Sequence, residues 1–211
     1  MTDEREFHRP VRRPAELFDR LFASADPAEV SRVAHSTAQA LLARVRADPD
    51  GETVERLIGF TDAYGIDDIA ELWSRSPARS LPGALWRLYL LQLMIHDDAQ
   101  TAALLYERGR LSLASVDPVV AGAPVPASPD EIVTLIDTIM RGVFTGDFSI
   151  ALERAAAFCR VEASGATWIA DDYDTTEPER ASHLTRRAAR LATYADDLVA
   201  CAALWRRDAL A

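Results

Sequence analysis

The sequence contains no lysine and no asparagine, and its 23 basic residues are all arginine. The codons for lysine and asparagine are rich in A and T, so this double absence indicates a high-GC genome rather than a physical demand for guanidinium groups. It follows that the number of arginines alone carries no functional argument.

Cysteine is also scarce, with only Cys159 and Cys201. Both lie beside alanines in predicted helices, so we expect reduced core thiols and not a disulfide scaffold. The first ten residues have no apolar signal region. The sequence therefore predicts a cytoplasmic protein.

Positive charge is outweighed by negative charge, with a formal net charge of −10 and an isoelectric point near 4.9. Nucleic acids and anionic membranes would repel such a surface, so neither is an expected partner. The hydrophobic content is 49%, it is dominated by alanine and leucine, and β-branched runs are few. This composition favours helices.

The segment Leu81–His96 is the most apolar in the chain, and only Arg87 and Gln92 interrupt it. A helix that is apolar on all sides is normally covered on all sides, and this one is too short to cross a bilayer. We therefore predict an all-α fold, an orthogonal or bundle-like domain of about nine helices around this buried central helix. Arg87 should pair with an acid from a neighbouring helix, or else face a pocket or partner.

The predicted domain organisation is a flexible basic arm over residues 1–13 and a single helical domain over 14–211. Gly109 is expected to end one helix, and a proline-rich strap over 112–128 is expected to join two helical halves. The strap is apolar, so we expect it either to pack on the helical body or to expose a recognition loop. Its candidate contact residues are Val119, Val120 and Val125.

Helix starts are well marked in the second half. Ser128 and Glu131 are spaced as a capping box, and Asp147 can cap the following helix, which Gly165 is a candidate to interrupt. The last predicted helix carries a basic cluster of Arg186, Arg187 and Arg190. It is interpreted either as a solvated mixed-charge face shared with nearby acids (Glu179, Asp196 and Asp197) or as a surface for a partner.

Acidic residues at helix ends suggest a metal site as an alternative, with Asp97, Asp98, Asp171 and Asp172 as ligands of a metal-dependent helical hydrolase. Helix capping explains the same aspartates without a metal. No nucleophile elbow, phosphate loop or dinucleotide fingerprint occurs, so no catalytic residue and no cofactor is predicted.

Gly146-Asp147-Phe148, followed by Ala151 and Phe158, is similar to the turn and second helix of a tetratricopeptide repeat. The signature of the first helix is missing and no second copy follows at a fixed period. A helical-repeat-like adaptor is therefore a second alternative.

Several stretches resemble a family of small helical proteins from high-GC bacteria: DPAEVSRVAHSTAQALLARVR, YGIDDIAELWSR, LPGALWRLYLL, VDPVVAGAP and GDFSIALERAAAFCR. The resemblance spans most of residues 14–207. Members of that family are sometimes labelled as the β subunit of DNA-directed RNA polymerase. This chain is far too short for that subunit and lacks its metal-binding aspartate motif, so the resemblance implies no activity and transfers no functional residue.

The sequence as a whole favours a non-enzymatic protein-binding or regulatory domain. The expected partner is another protein, with a homodimer as a further alternative because the apolar content is high.

Overall fold

The computed structural model describes residues 26–43, 66–116 and 127–211. Within these ranges the chain is helical and contains no strand, which confirms the all-α prediction. The described residues form seven helices, so the prediction of about nine is not confirmed. They are α1 (Pro27–Ala43), α2 (Ile66–Trp73), α3 (Leu81–Asp97), α4 (Ala99–Val116), α5 (Pro129–Met140), α6 (Phe148–Tyr173) and α7 (Pro178–Trp205).

Helix α3 matches the predicted central segment and packs against α1, α2, α4, α5 and α7. Its N-cap Ser80 accepts a hydrogen bond from the Gly83 amide at 3.2 Å. Leu85, Leu88 and Leu91 are almost fully buried, whereas Leu93 is 43% exposed. The expectation that other elements cover this helix on every side is therefore not met, and its place as the central helix is not confirmed.

The other large body of packing is the antiparallel pair α6 and α7, with α4 lying against α6. Two predicted helix breaks are wrong here, because α4 continues through Gly109 and α6 continues through Gly165. A Cβ atom at Gly109 would collide with the Val161 carbonyl oxygen, and one at Gly165 would collide with the Leu105 carbonyl oxygen. These glycines thus permit a close approach of two helices instead of ending them.

The predicted strap is also corrected at its start, because residues 112–116 belong to α4. Residues 112–116 contain no proline or glycine, and a helix usually ends at or before the residue that precedes a proline, here Pro118. At the other end, Ser128 and Glu131 form the predicted capping box of α5, and Asp147 caps α6. Residues 117–126 lie outside the described residues, as does the predicted arm over 1–13.

No helix in the described part of the chain combines the length and apolar character needed to cross a membrane.

Candidate functional site

The outer face of α3 is an apolar stripe made by Trp86, Leu90, Leu93 and Met94. These residues recur at steps of three and four, so they share one side of the helix. Leu93 is exposed and the other three are half-buried. A shallow groove runs along this side, with Leu90, Leu93 and Met94 among its lining residues.

Trp86 is held in place from the side of α2. Its ring stacks on Tyr89 with the centroids 5.6 Å apart. The Tyr89 hydroxyl donates a 2.8 Å hydrogen bond to Asp67 Oδ1 on α2. The outer face of α3 therefore presents apolar groups from a fixed backbone and a fixed aromatic ring.

Arg87 has the acidic partner that its position within an apolar helix predicts. Its Nε and one terminal nitrogen donate to Asp197 Oδ2 of α7 at 3.1 and 2.8 Å, and its other terminal nitrogen donates to the Gly83 carbonyl. Arg79 donates to the second oxygen of the same carboxylate at 3.3 Å. The Arg87 guanidinium also lies over the Tyr194 ring, 5.6 Å from its centroid. This cluster ties α3 to α7 and leaves Arg87 satisfied within the protein.

The basic cluster of α7 does not lie on one face. Arg186 and Arg190 are exposed, whereas Arg187 is only 7% exposed and donates a 3.2 Å hydrogen bond to Glu162 of α6. Residues 186, 187 and 190 split in this way because neighbours in a helix point about 100° apart. Arg187 is therefore not available to a partner, which corrects its assignment to the contact surface.

Glu162 is the buried acid that sequence reasoning missed. Its side chain has no exposed surface, its Oε1 has no hydrogen-bond partner, and Arg187 Nε is likewise without one. Burial raises the pKa of this carboxyl group to about 8, against the opposing effect of Arg187. The sequence signal that could have indicated its burial is its position, because Glu162 continues the apolar spacing of Ala155, Phe158 and Cys159.

The four aspartates of the metal hypothesis do not form a site. All are exposed, and the residues that the structure describes contain no group of three acidic, histidine or cysteine side chains placed to hold a metal ion. Asp98 instead accepts a hydrogen bond from the Thr101 amide at 3.0 Å, and its contacts with Thr101 lower the pKa of its carboxyl group. Asp97 is the last residue of α3, while Asp171 and Asp172 lie in the last turn of α6. Val119, Val120 and Val125 of the predicted strap lie outside the described residues.

No protein-family model matches the chain, and neither the curated proteins nor the solved structures include one with significant similarity to it.

Proposed function

We propose that this chain is a non-enzymatic protein-binding domain, and that it binds a helical segment of a partner protein on the outer face of α3. The observation that carries the proposal is the exposure of Leu93 within a helix whose sequence is apolar on every side. Single exposed apolar residues are common on protein surfaces. A stripe along a rigid helix, bordered by a groove, is typical of a recognition surface.

The energetics are adequate for a specific contact. Complete burial of one leucine side chain that was fully exposed contributes roughly 1.5–3 kcal/mol. The face offers three aliphatic side chains and one tryptophan, and each would contribute a fraction of that amount because each is already partly buried. Trp86 is fixed by its stack on Tyr89, so binding would order few side chains. Rigid apolar anchors of this kind dominate measured interface energies.

The two alternatives have less support. The hydrolase needs Asp97, Asp98, Asp171 and Asp172 to converge, and within residues 26–43, 66–116 and 127–211 no such ligand group is present. The repeat-like adaptor needs two short helices in about 34 residues. Helix α6 begins at Phe148 as that motif requires, but it is one continuous helix of 26 residues with no connecting loop.

Site-specific photo-cross-linking tests the proposal. A cross-linking amino acid replaces Leu93 in one variant and Leu111 in a matched control, because Leu111 is 60% exposed on α4. Both proteins are irradiated in lysate of the source organism, and the cross-linked peptides are mapped by mass spectrometry. We expect one defined segment, with apolar residues at helical spacing, attached at position 93 and absent at position 111.

A cross-link to a second copy of this chain would identify the partner as the chain itself, and light scattering would then show a dimer. Absence of any segment specific to position 93 would contradict the proposed function. So would equal labelling at the two positions, because it would mean that the outer face of α3 has no selectivity.

A further inference from the structure

We infer that the partner segment is an acidic amphipathic helix, whose carboxylates pair with Arg186 and Arg190 of α7 while its apolar residues cover the outer face of α3. This inference rests on the proposed function and adds the chemistry of the partner. The juxtaposition that carries it is an apolar stripe on α3 beside two exposed arginines on α7 that have no acidic partner among the described residues.

The two features are neighbours because α3 and α7 run antiparallel. Near the start of α3, Arg87 meets Asp197 and Tyr194. Just before α3, the Ala78 carbonyl oxygen lies 3.7 Å from the Cys201 sulfur, so the chain advances from Ala78 to Arg87 on one side while it runs back from Cys201 to Tyr194 on the other. Arg190 lies one helical turn before Tyr194, whose ring lies under Arg87, and so shares that side of α7. Arg190 and, one turn away, Arg186 therefore lie along the α7 side of the residues that follow Arg87 on α3.

Two of the three acids expected near this cluster pair with other arginines. Asp197 accepts hydrogen bonds from Arg87 and Arg79. Asp196 lies 4.0 Å from Arg160 of α6. Asp196 and Asp197, two of the three acids predicted to share a mixed-charge face with Arg186 and Arg190, are therefore paired with other arginines.

Other exposed arginines show what the usual arrangement is in this protein. Four of them pair with a glutamate or aspartate three or four residues earlier on the same helix or at its cap, namely Arg32 with Glu29, Arg110 with Glu107, Arg141 with Asp137 and Arg180 with Glu177. Three others pair with an acid on another helix, namely Arg79 with Asp197, Arg160 with Asp196 and Arg206 with Glu153. Around Arg186 and Arg190, positions three and four residues away hold no acid at all.

Arg186 donates only to the Ser182 carbonyl, at 3.3 Å. Arg190 follows four residues later, so the two positive charges lie on the same side of α7. Like charges four residues apart weaken a helix. In a chain of net charge −10, two exposed cations left together in this way favour an external anion, and the adjacent apolar stripe favours an amphipathic helix as its carrier.

A displayed library of helix-forming peptides of about 18 residues, a length of about five helical turns, tests this inference. Peptides that bind the purified wild-type chain are selected first. Those that also bind the Leu93→Asp variant are then discarded, because they do not depend on the outer face of α3. The retained peptides are then measured by fluorescence anisotropy against two double variants. One is Arg186→Glu/Arg190→Glu, and the control is Arg32→Glu/Arg110→Glu, which changes the net charge by the same amount.

We expect retained peptides rich in aspartate and glutamate beside their apolar positions. The Arg186→Glu/Arg190→Glu variant should bind them roughly tenfold more weakly, the control variant should bind within about twofold of wild type, and added salt should reduce the difference.

Retained peptides that are neutral or basic would overturn the inference while leaving the proposed function intact. Equal binding by the two double variants would do the same. If the Leu93→Asp variant binds every selected peptide, no peptide uses the outer face of α3, and the proposed function fails together with the inference.

Discussion

Replacement of the buried Glu162 by glutamine should remove a pH dependence of stability that runs opposite to ordinary acid denaturation. The carboxyl group has no exposed surface and only one hydrogen bond, from Arg187 at 3.2 Å. Burial raises its pKa from 4.5 to about 8, so the folded protein retains this proton at pH values where the unfolded chain releases it.

The sign follows from proton linkage. Below the unfolded pKa both states hold the proton, and the stabilising contribution of the protonated group is fully present. As the pH rises towards 8, the unfolded state binds fewer protons than the folded state, so the free energy of unfolding decreases. The slope is about 1.4 kcal/mol per pH unit, and the whole window between 4.5 and 8 corresponds to roughly 5 kcal/mol.

Glutamine reproduces the neutral form of the side chain and keeps an oxygen that accepts from Arg187. Glu162→Gln should therefore match the wild type near about pH 4 and exceed it by several kcal/mol near about pH 9. Urea unfolding followed by circular dichroism at several pH values measures the difference. The control is Glu153→Gln, because Glu153 is a partly exposed partner of Arg206 whose hydrogen bond lowers the pKa of that carboxyl group. Control and wild type should give parallel curves above pH 5.

The raised pKa of Glu162 would be refuted if the wild type and Glu162→Gln showed the same pH dependence between about pH 5 and pH 9. It would also be refuted if the wild type became more stable relative to the glutamine variant as the pH rose, because the ion pair with Arg187 would then outweigh the cost of burial.

Two further substitutions test the packing. Gly165→Ala places a methyl group against the Leu105 carbonyl oxygen, so thermal unfolding should show a loss of roughly 1–3 kcal/mol or more, and an unchanged melting temperature would mean that α4 and α6 are further apart. Asp197→Ala leaves Arg87 unpaired with only 13% of its side chain exposed, and should cost roughly 3–5 kcal/mol in urea unfolding. A loss below about 1 kcal/mol would instead indicate that water solvates Arg87.

The helical character of the chain was predictable because it depends on local sequence. The capping box of Ser128 and Glu131, the cap at Asp147 and the all-α fold follow from residue types and short spacings, and all three are confirmed. The same local rules failed at Gly109 and Gly165. At these two positions glycine is required by the close approach of the α4 and α6 backbones. That contact joins residues far apart in the sequence, so the neighbouring residues do not reveal it.

The candidate site was only partly predictable for the same reason. The apolar run that became α3 was evident, and so was the need of Arg87 for an acidic partner. Which side of α3 stays open depends on how the other helices pack. The division of the basic cluster was also hidden, because Arg187 turns inward only where Glu162 lies opposite it on α6.

The most direct test of the account is the stability of Leu93→Asp beside that of Leu91→Asp. Leu93 is 43% exposed and Leu91 is 1% exposed, although they lie two residues apart on the same helix. We predict a loss of about 1 kcal/mol or less for Leu93→Asp, and of several kcal/mol or failure to fold for Leu91→Asp, because only the second substitution buries a charge. Equal and large losses in urea unfolding would show that the outer face of α3 is covered in the folded chain, and would contradict its role as a binding surface.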